Sequence, residues 1–340
     1  MPLPDYNFLS APLWLITALH ILTLSLHFVA MNFLVGGIII VLWGKFTNRW
    51  EDPTVKTFVK LFPSALAATV TLGVAPLLFV QLVYHRQVYA SAIVSGWFWL
   101  MIIPAVIIAY YFLYGSSFSK LSGAGRRPIY LTLALLLFLY VSIVLSSVFS
   151  MAEKPHEIAT LYQQHQAGEI LNPNVGDWLL RWLHMILGAV TVGGFFIGWL
   201  GKDNPKAYEV GKGFFLWGMV LTAIVGISYL LSLSDYLSAF MKTPGAYTLT
   251  LAVLLSAGSL HFFFKKKFVG AGLMLFVSLL GMVINRHIIR LLKLADHFEP
   301  SSLKVEPQWS VFFMFLICFV IALGVVWYML RLFFGQKQTA

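Results

Sequence analysis

The sequence holds one cysteine in 340 residues, Cys318. A single thiol excludes an intrachain disulfide framework and any Cys-rich zinc or iron–sulfur site within this chain. No Cys-x-x-Cys-His run occurs, so no c-type haem is attached covalently here. Charge is also scarce. Asp, Glu, Lys and Arg make up 11% of the residues, against about 25% in an average soluble domain, which argues against a water-soluble globular protein. Disorder is excluded by 29 Phe and 11 Trp that need burial. With 59% hydrophobic residues and a mean hydropathy of +0.84, the composition is that of an all-α polytopic membrane protein. The net charge of +10 is then a matter of distribution across the bilayer. It is no signal for a nucleic-acid partner, and membrane lipid is the first partner expected.

A spanning helix needs about 20 mostly apolar residues. Nine stretches qualify, at 13–44, 62–83, 92–115, 128–150, 178–200, 213–233, 247–264, 268–289 and 309–334. Alternate loops differ in charge. One set, with the C-terminal tail, carries 15 Lys and Arg against four acids, Glu51, Asp52, Asp203 and Glu209. The other set carries eight basic and nine acidic residues. The positive-inside rule puts the first set in the cytoplasm. The expectation is a multi-pass protein of the inner (cytoplasmic) membrane, with its N-terminus periplasmic and its C-terminus cytoplasmic. Met1-Pro2-Leu3-Pro4-Asp5 lacks the basic start of a cleaved signal peptide, so the first span is read as retained. The loops are too short for a soluble catalytic domain, which leaves chemistry to the helices or to a partner.

The first and fifth spans correspond at an offset of 157. His27 aligns with His184, Gly36-Gly37 with Gly193-Gly194, and Gly44-Lys45 with Gly201-Lys202. In the following spans Thr69, Gly73, Leu77 and Leu78 correspond to Thr222, Gly226, Leu230 and Leu231. This pattern predicts two parallel-repeat four-helix bundles, 1–150 and 151–292, with a ninth, peripheral helix and tail over 293–340.

Intramembrane polar groups are costly and tend to serve a site, and neutral imidazole is a good iron ligand. His27 and His184, equivalent in the two repeats, are the leading candidates to hold haem iron. His20 precedes His27 by seven residues, on the same helix face but about 10 Å along the axis. The two therefore serve separate centres, or one of them is structural. His287, in Asn285-Arg286-His287, is a candidate ligand, quinone contact, propionate anchor or ordinary helix end. His261, beside Lys265-Lys266-Lys267, is a candidate ligand or an interfacial residue. His85, His156, His165 and His297 fall in loops and are expected to be solvated. Gly188 lies four residues after His184, on its face, and would leave room for a flat macrocycle. The Gly-Gly pairs lie on other faces and suit close helix packing. Arg181 and Arg286, with Arg290 at a similar level, can fork onto haem propionates or snorkel to the interface. Trp97, Trp99, Trp178 and Trp182 fit an aromatic belt.

These residues resemble subunit I of the cytochrome bd quinol oxidases. Leu26-His27-Phe28 followed by Gly36 is similar to that family's first-helix haem histidine. Lys60-Leu61-Phe62, then Leu72-Gly73-Val74-Ala75 and Gln81, resembles its second helix and the turn after it. Asn172-Pro173, then Leu183-His184 with Val192 and Gly193, resembles its fifth helix, which supplies a ligand to low-spin haem b. The resemblance covers the first six spans best and implies haem b, two or more per chain, with quinol as substrate. Four departures follow. The third span has no acidic residue where the family carries glutamates for proton delivery. Only Ser234 to Ala246 joins the sixth and seventh spans, where the family has a long quinol-binding loop. The seventh span lacks the family's ligand methionine, and the eighth lacks its glutamate.

The expectation is therefore a non-oxidase relative. It would be a quinol-oxidising haem b subunit that passes electrons to a periplasmic multihaem cytochrome c or another redox partner, with Gln81 and Asn285 as candidate quinone contacts. A reduced bd-type terminal oxidase and a membrane transporter are the alternatives, along with a structural anchor for a partner enzyme. Pro76 and Pro104 lie in spans of the first half with no counterparts in the second, whereas a repeat-built transporter would break its helices in both.

Overall fold

The computed structural model describes residues 8–46, 53–118 and 127–335. Arg49, Glu51, Asp52, Lys120, Arg126 and Lys337, which enter the charge comparison, lie outside the described residues, as do the first five residues of the chain. In chain order the helices are α1 (Leu13–Phe46), α2 (Pro53–Val83), α3 (His85–Val94), α4 (Gly96–Leu100), α5 (Ile102–Phe118), α6 (Arg127–Met151), α7 (Pro155–Gln164), α8 (Leu179–Leu200), α9 (Pro205–Ser232), α10 (Ser234–Met241), α11 (Gly245–Phe264), α12 (Phe268–Leu294) and α13 (Trp309–Gly335). Among the described residues nine helical stretches are long and apolar enough to cross a membrane. The protein is an all-α, multi-pass membrane protein.

Several boundaries differ from expectation. α2 begins at Pro53, not 62, because Lys56 and Lys60 extend a helix beyond its apolar part without breaking it. α9 begins at Pro205, not 213. Asn204 caps its first turn by accepting from the amides of Lys206 and Ala207, and proline at the first position has no amide to orphan. The third segment is jointed at Ser95 and Met101. Its first piece, α3, buries His85, which corrects the expectation that this residue is solvated. His156 and His297 are exposed, and His165 lies at the end of α7.

The chain divides into two compact units. In the unit formed by Met1–Thr17 with Pro300–Ala340, the described N-terminal residues pair with the segment before α13. The Leu9 amide donates to the Lys304 carbonyl (2.7 Å), and the Glu306 amide donates back to the Leu9 carbonyl (2.9 Å). α13 is apolar around its circumference and buries none of its most apolar stretch. That is a surface suited to acyl chains.

The other unit, Ala18–Glu299, contains every candidate histidine. Its α1 and α8 cross where glycines remove side chains from both helices. A Cβ on Gly193 would stand 2.6 Å from the backbone carbon of Gly36, and one on Gly36 would collide with the Ala189 carbonyl. Gly37 faces the Phe58 and Phe62 rings of α2, and Gly194 faces the backbone of α9 at Phe214–Phe215. The Gly-Gly pairs thus bring helices together. Phe33 stacks on Phe58 with centroids 4.7 Å apart and meets Phe196 of α8 edge-on at 5.1 Å. A second aromatic group joins Phe195, Phe215 and Phe263.

Proline inside α2 is accommodated by another helix. Pro63 has no amide to give the Val59 carbonyl, and Ser117 of α5 donates to that carbonyl instead, at 2.7 Å. Gly36→Ala is expected to destabilise the fold by about 1–3 kcal/mol or more through overpacking. Gly188→Ala, where an added Cβ meets nothing within 4 Å, is expected to be close to neutral. Detergent unfolding midpoints of the two variants check the contrast.

Candidate functional site

His27 and His184 sit in matching surroundings. His27 Nδ1 lies 2.9 Å from the Thr69 carbonyl of α2, and His184 Nδ1 lies 2.9 Å from the Thr222 carbonyl of α9. A carbonyl only accepts, so Nδ1 carries the proton in both rings and Nε2 holds a lone pair. Each carbonyl is also the helical partner of the amide four residues on, and that residue is glycine in both helices. A Cβ on Gly73 would stand 2.8 Å from His27 Cε1 and Nδ1, and one on Gly226 would stand 2.8 Å from His184 Cε1. Thr-x-x-x-Gly therefore opens a notch in the facing helix that admits an imidazole to a carbonyl's second lone pair.

Among the described residues, Nε2 of each ring has no hydrogen-bond partner. An imidazole whose Nδ1–H is held by a carbonyl is oriented and made more basic as a metal ligand. Gly188, one turn from His184, faces open space. Among the described residues no three His, Cys, Asp or Glu converge on a point that could hold a bare metal ion. Each ring thus offers one donor, Nε2, which is the number of nitrogens a single side chain would lend to a haem iron.

His20, seven residues before His27 on α1, repeats the contact from Nδ1 to a carbonyl without the glycine, since Val80 stands four residues after Pro76. Its Nδ1 lies 3.1 Å from the Pro76 carbonyl and the ring is buried. The seven residues from His20 to His27 match the seven from Pro76 back to Thr69, as an antiparallel helix pair requires. His261 is exposed at the end of α11, beside its lysines. Among the described residues the ring nitrogens of His20, His27 and His184 bond to Pro76, Thr69 and Thr222 and not to Gln81. Asn285 is buried, and its Oδ1 accepts from Thr248 Oγ1 at 2.5 Å. Trp182 donates from its indole to Ser142 Oγ at 2.8 Å, so it also ties α8 to α6.

Arg181 and Arg286 do not reach toward solvent. Both are paired with Glu153, a residue absent from the sequence-based candidates. Glu153 is 3% exposed and lies just beyond α6. Its Oε1 accepts from Arg286 Nη2 and lies 3.4 Å from Arg181 Nη1, while Lys293 Nζ is 3.1 Å from Oε2. Arg181 also donates to the Ser146 carbonyl at 2.8 Å. Burial alone would push the Glu153 carboxyl up, but Arg286, Lys293 and Arg181 outweigh it and hold the group well below the usual carboxylate range. The segment after Glu153 is stapled to the same region. Lys154 pairs with Asp177 at 2.8 Å, the Asn172 amide donates to Ser147 Oγ at 2.7 Å, and Asn172 Nδ2 donates to Ser150 Oγ at 2.8 Å. Burial lowers the Lys154 ammonium, and the bond to Asp177 more than restores it.

Glu153 could have been suspected from sequence. It is an acid directly after a span, and Arg286, Arg290 and Lys293 follow one another at helical spacing with no acid on their own helix.

Comparison with known protein families, with curated proteins and with solved structures finds no match.

Two expectations follow. Gly73→Ala and Gly226→Ala should each displace one histidine ring and lower stability by about 1–3 kcal/mol, whereas Thr69→Val, which keeps the carbonyl, should leave the ring in place. Histidine side-chain NMR of the labelled protein reads both. Glu153→Gln should cost about 3–5 kcal/mol by stranding buried cations. The folded-state carboxyl lies below its unfolded value of about 4.3, so the stabilisation it gives is complete above that pH and is lost as pH falls through the folded value. The gap between wild type and Glu153→Gln should therefore be flat from pH 8 to about 5 and narrow only in stronger acid. A gap that closes near neutrality would contradict the ion-pair assignment.

Proposed function

We propose that this chain is a haem b-binding electron-transfer subunit of the inner membrane. In this reading it oxidises quinol and delivers electrons to a periplasmic multihaem cytochrome c or another redox partner. The observation that carries the reading is the matched pair of imidazoles, His27 and His184. Each is anchored through Nδ1 with its Nε2 lone pair left over. A ring that needed only to satisfy itself in a helix interface could do so from any register. Two rings in the same register, each facing a glycine notch, suit a purpose common to both. Their agreement supports the parallel repeat of two four-helix bundles, and the Gly36–Gly193 crossing is compatible with a pseudo-symmetric pairing of them.

His27 and His184 would each hold one haem iron through Nε2, and the open space at Gly188 would receive the edge of a macrocycle. His20, with the same Nδ1 anchorage, is the candidate for a further or opposite axial position. When bound, haem supplies reversible one-electron transfer. The protein's own part is to fix each ring, to raise its basicity through the Nδ1–H···carbonyl bond, and to keep bulk water from the iron with surrounding hydrocarbon. Asn285 Nδ2 and His287 Nδ1 are buried without partners among the described residues and could meet the oxygens of a quinol head group. The charge asymmetry of the loops supports a C-terminus in the cytoplasm, with the Glu153 end facing the periplasm. Quinol oxidised at that end releases its protons outside.

The departures from the bd oxidases support a subunit that does not reduce oxygen. That reaction draws protons through low-dielectric protein, and the third and eighth spans offer no carboxylate for it.

The pyridine haemochrome assay on the purified full-length chain, with a redox titration, tests the proposal. The expected result is b-type haem at two or more equivalents, with His27→Ala and His184→Ala each losing about one. A chain that shows no Soret absorption after expression with ample haem overturns it. So does an unchanged spectrum and stoichiometry in both variants.

A further inference from the structure

Arg286, Arg290 and Lys293 recur along α12 at i, i+4 and i+7, so they share one face. Arg286 and Lys293 are paired with Glu153, but Arg290 is not. Arg290 is 8% exposed, forms no ion pair or hydrogen bond among the described residues, and its Nη1 is buried without a partner. Its guanidinium lies over the Tyr84 ring, 5.3 Å from the centroid. It is within electrostatic reach of Glu153, but Arg286 and Arg181 are as well. Four cations thus share one carboxylate. A small cleft lined by Tyr84, Gln87, Glu153 and Arg290 opens at this point. Next to it, Arg286 Nη1 is buried and unpartnered too.

A buried guanidinium without a hydrogen-bonded counter-ion of its own is costly, and the excess of positive charge around it adds repulsion. We propose that Arg290, together with Arg286, binds an oxyanion, a carboxylate or phosphate group, in the cleft beside Glu153. The planar fork of a guanidinium suits such a group, and Tyr84 holds the plane of Arg290 in position. Glu153 fills one share of the cationic field, and the bound oxyanion fills another. The group could belong to a free anion or to an anionic phospholipid whose head group reaches this end of the helices. The inference does not rest on haem binding.

The test uses the full-length chain in neutral detergent and chloride buffer. Sodium phosphate, sodium acetate, short-chain phosphatidylglycerol and short-chain phosphatidylcholine are titrated against the thermal midpoint of wild type, Arg290→Gln and Arg290→Lys. The expected result is a saturable rise in the wild-type midpoint with at least one of phosphate, acetate or phosphatidylglycerol, and none with phosphatidylcholine. Apparent affinity should fall by about tenfold or more in Arg290→Gln and by less in Arg290→Lys. Without added anion, Arg290→Gln should be no less stable than wild type, because it removes an uncompensated charge. A simple packing role for Arg290 predicts the reverse.

A gain with phosphatidylglycerol alone assigns the site to a lipid head group, and a gain with phosphate or acetate assigns it to a free anion. A midpoint unmoved by all three anions in colourless protein overturns the proposal, as does an equal gain in wild type and Arg290→Gln. Haem stoichiometry is read separately, so either idea can fail without the other.

Discussion

One buried carboxylate ties together three parts of the main unit. Glu153 follows α6, and its two oxygens meet Arg181 of α8 and both Arg286 and Lys293 of α12. Helices in a bilayer gain little from mutual apolar contact, because lipid tails are as apolar as leucine. Directional polar contacts and close backbone approach must then decide which helices are neighbours. Glu153 supplies the first near one end of the helices. The Gly36–Gly193 crossing and the phenylalanine groups supply the second elsewhere in the same unit. Between these lie the histidine notches, whose geometry depends on α1–α2 and α8–α9 holding their register.

The notches show how a costly group is made acceptable in hydrocarbon. A backbone carbonyl in a helix has already been satisfied once, and its second lone pair is normally shielded by the side chain of the residue four positions on. Glycine at that position removes the shield. The imidazole then finds a partner for Nδ1 without disturbing the facing helix, and proline is handled in the complementary way, with Ser117 supplying the donor that Pro63 lacks. In each case the polar inventory of one helix is completed by its neighbour, which is the condition for irregularity at membrane depth.

Much of this was legible in the chain. The spans follow from hydropathy, because a helix in lipid must be apolar wherever it is not paired, and their order survives in the structure. The packing role of Gly36-Gly37 and Gly193-Gly194 was legible from helical angle alone. The Thr69–Gly73 and Thr222–Gly226 correspondences were visible too, yet as bare letters they do not reveal that a carbonyl is the feature exposed. Helix starts are not legible where the first turns after Pro53 and Pro205 carry lysines, since a hydropathy window stops at the first charges. The burial of His85 is not legible, because the short helix α3 has no long hydrophobic run to announce it. Glu153 is legible only in part, as an acid directly after a span. It joins residues about 30 and 140 positions away, and long-range ion pairing leaves no periodic trace.

The anchorage of the three imidazoles has one more consequence. A histidine relays protons by accepting on one nitrogen and releasing from the other, and then resetting. Here the releasing nitrogen is tied to a main-chain oxygen that cannot pass a proton on. A proton that arrived at Nε2 of His20, His27 or His184 could leave only by the way it came. The three rings are therefore dead ends for proton conduction, and any traffic of protons through this helix array must follow other groups.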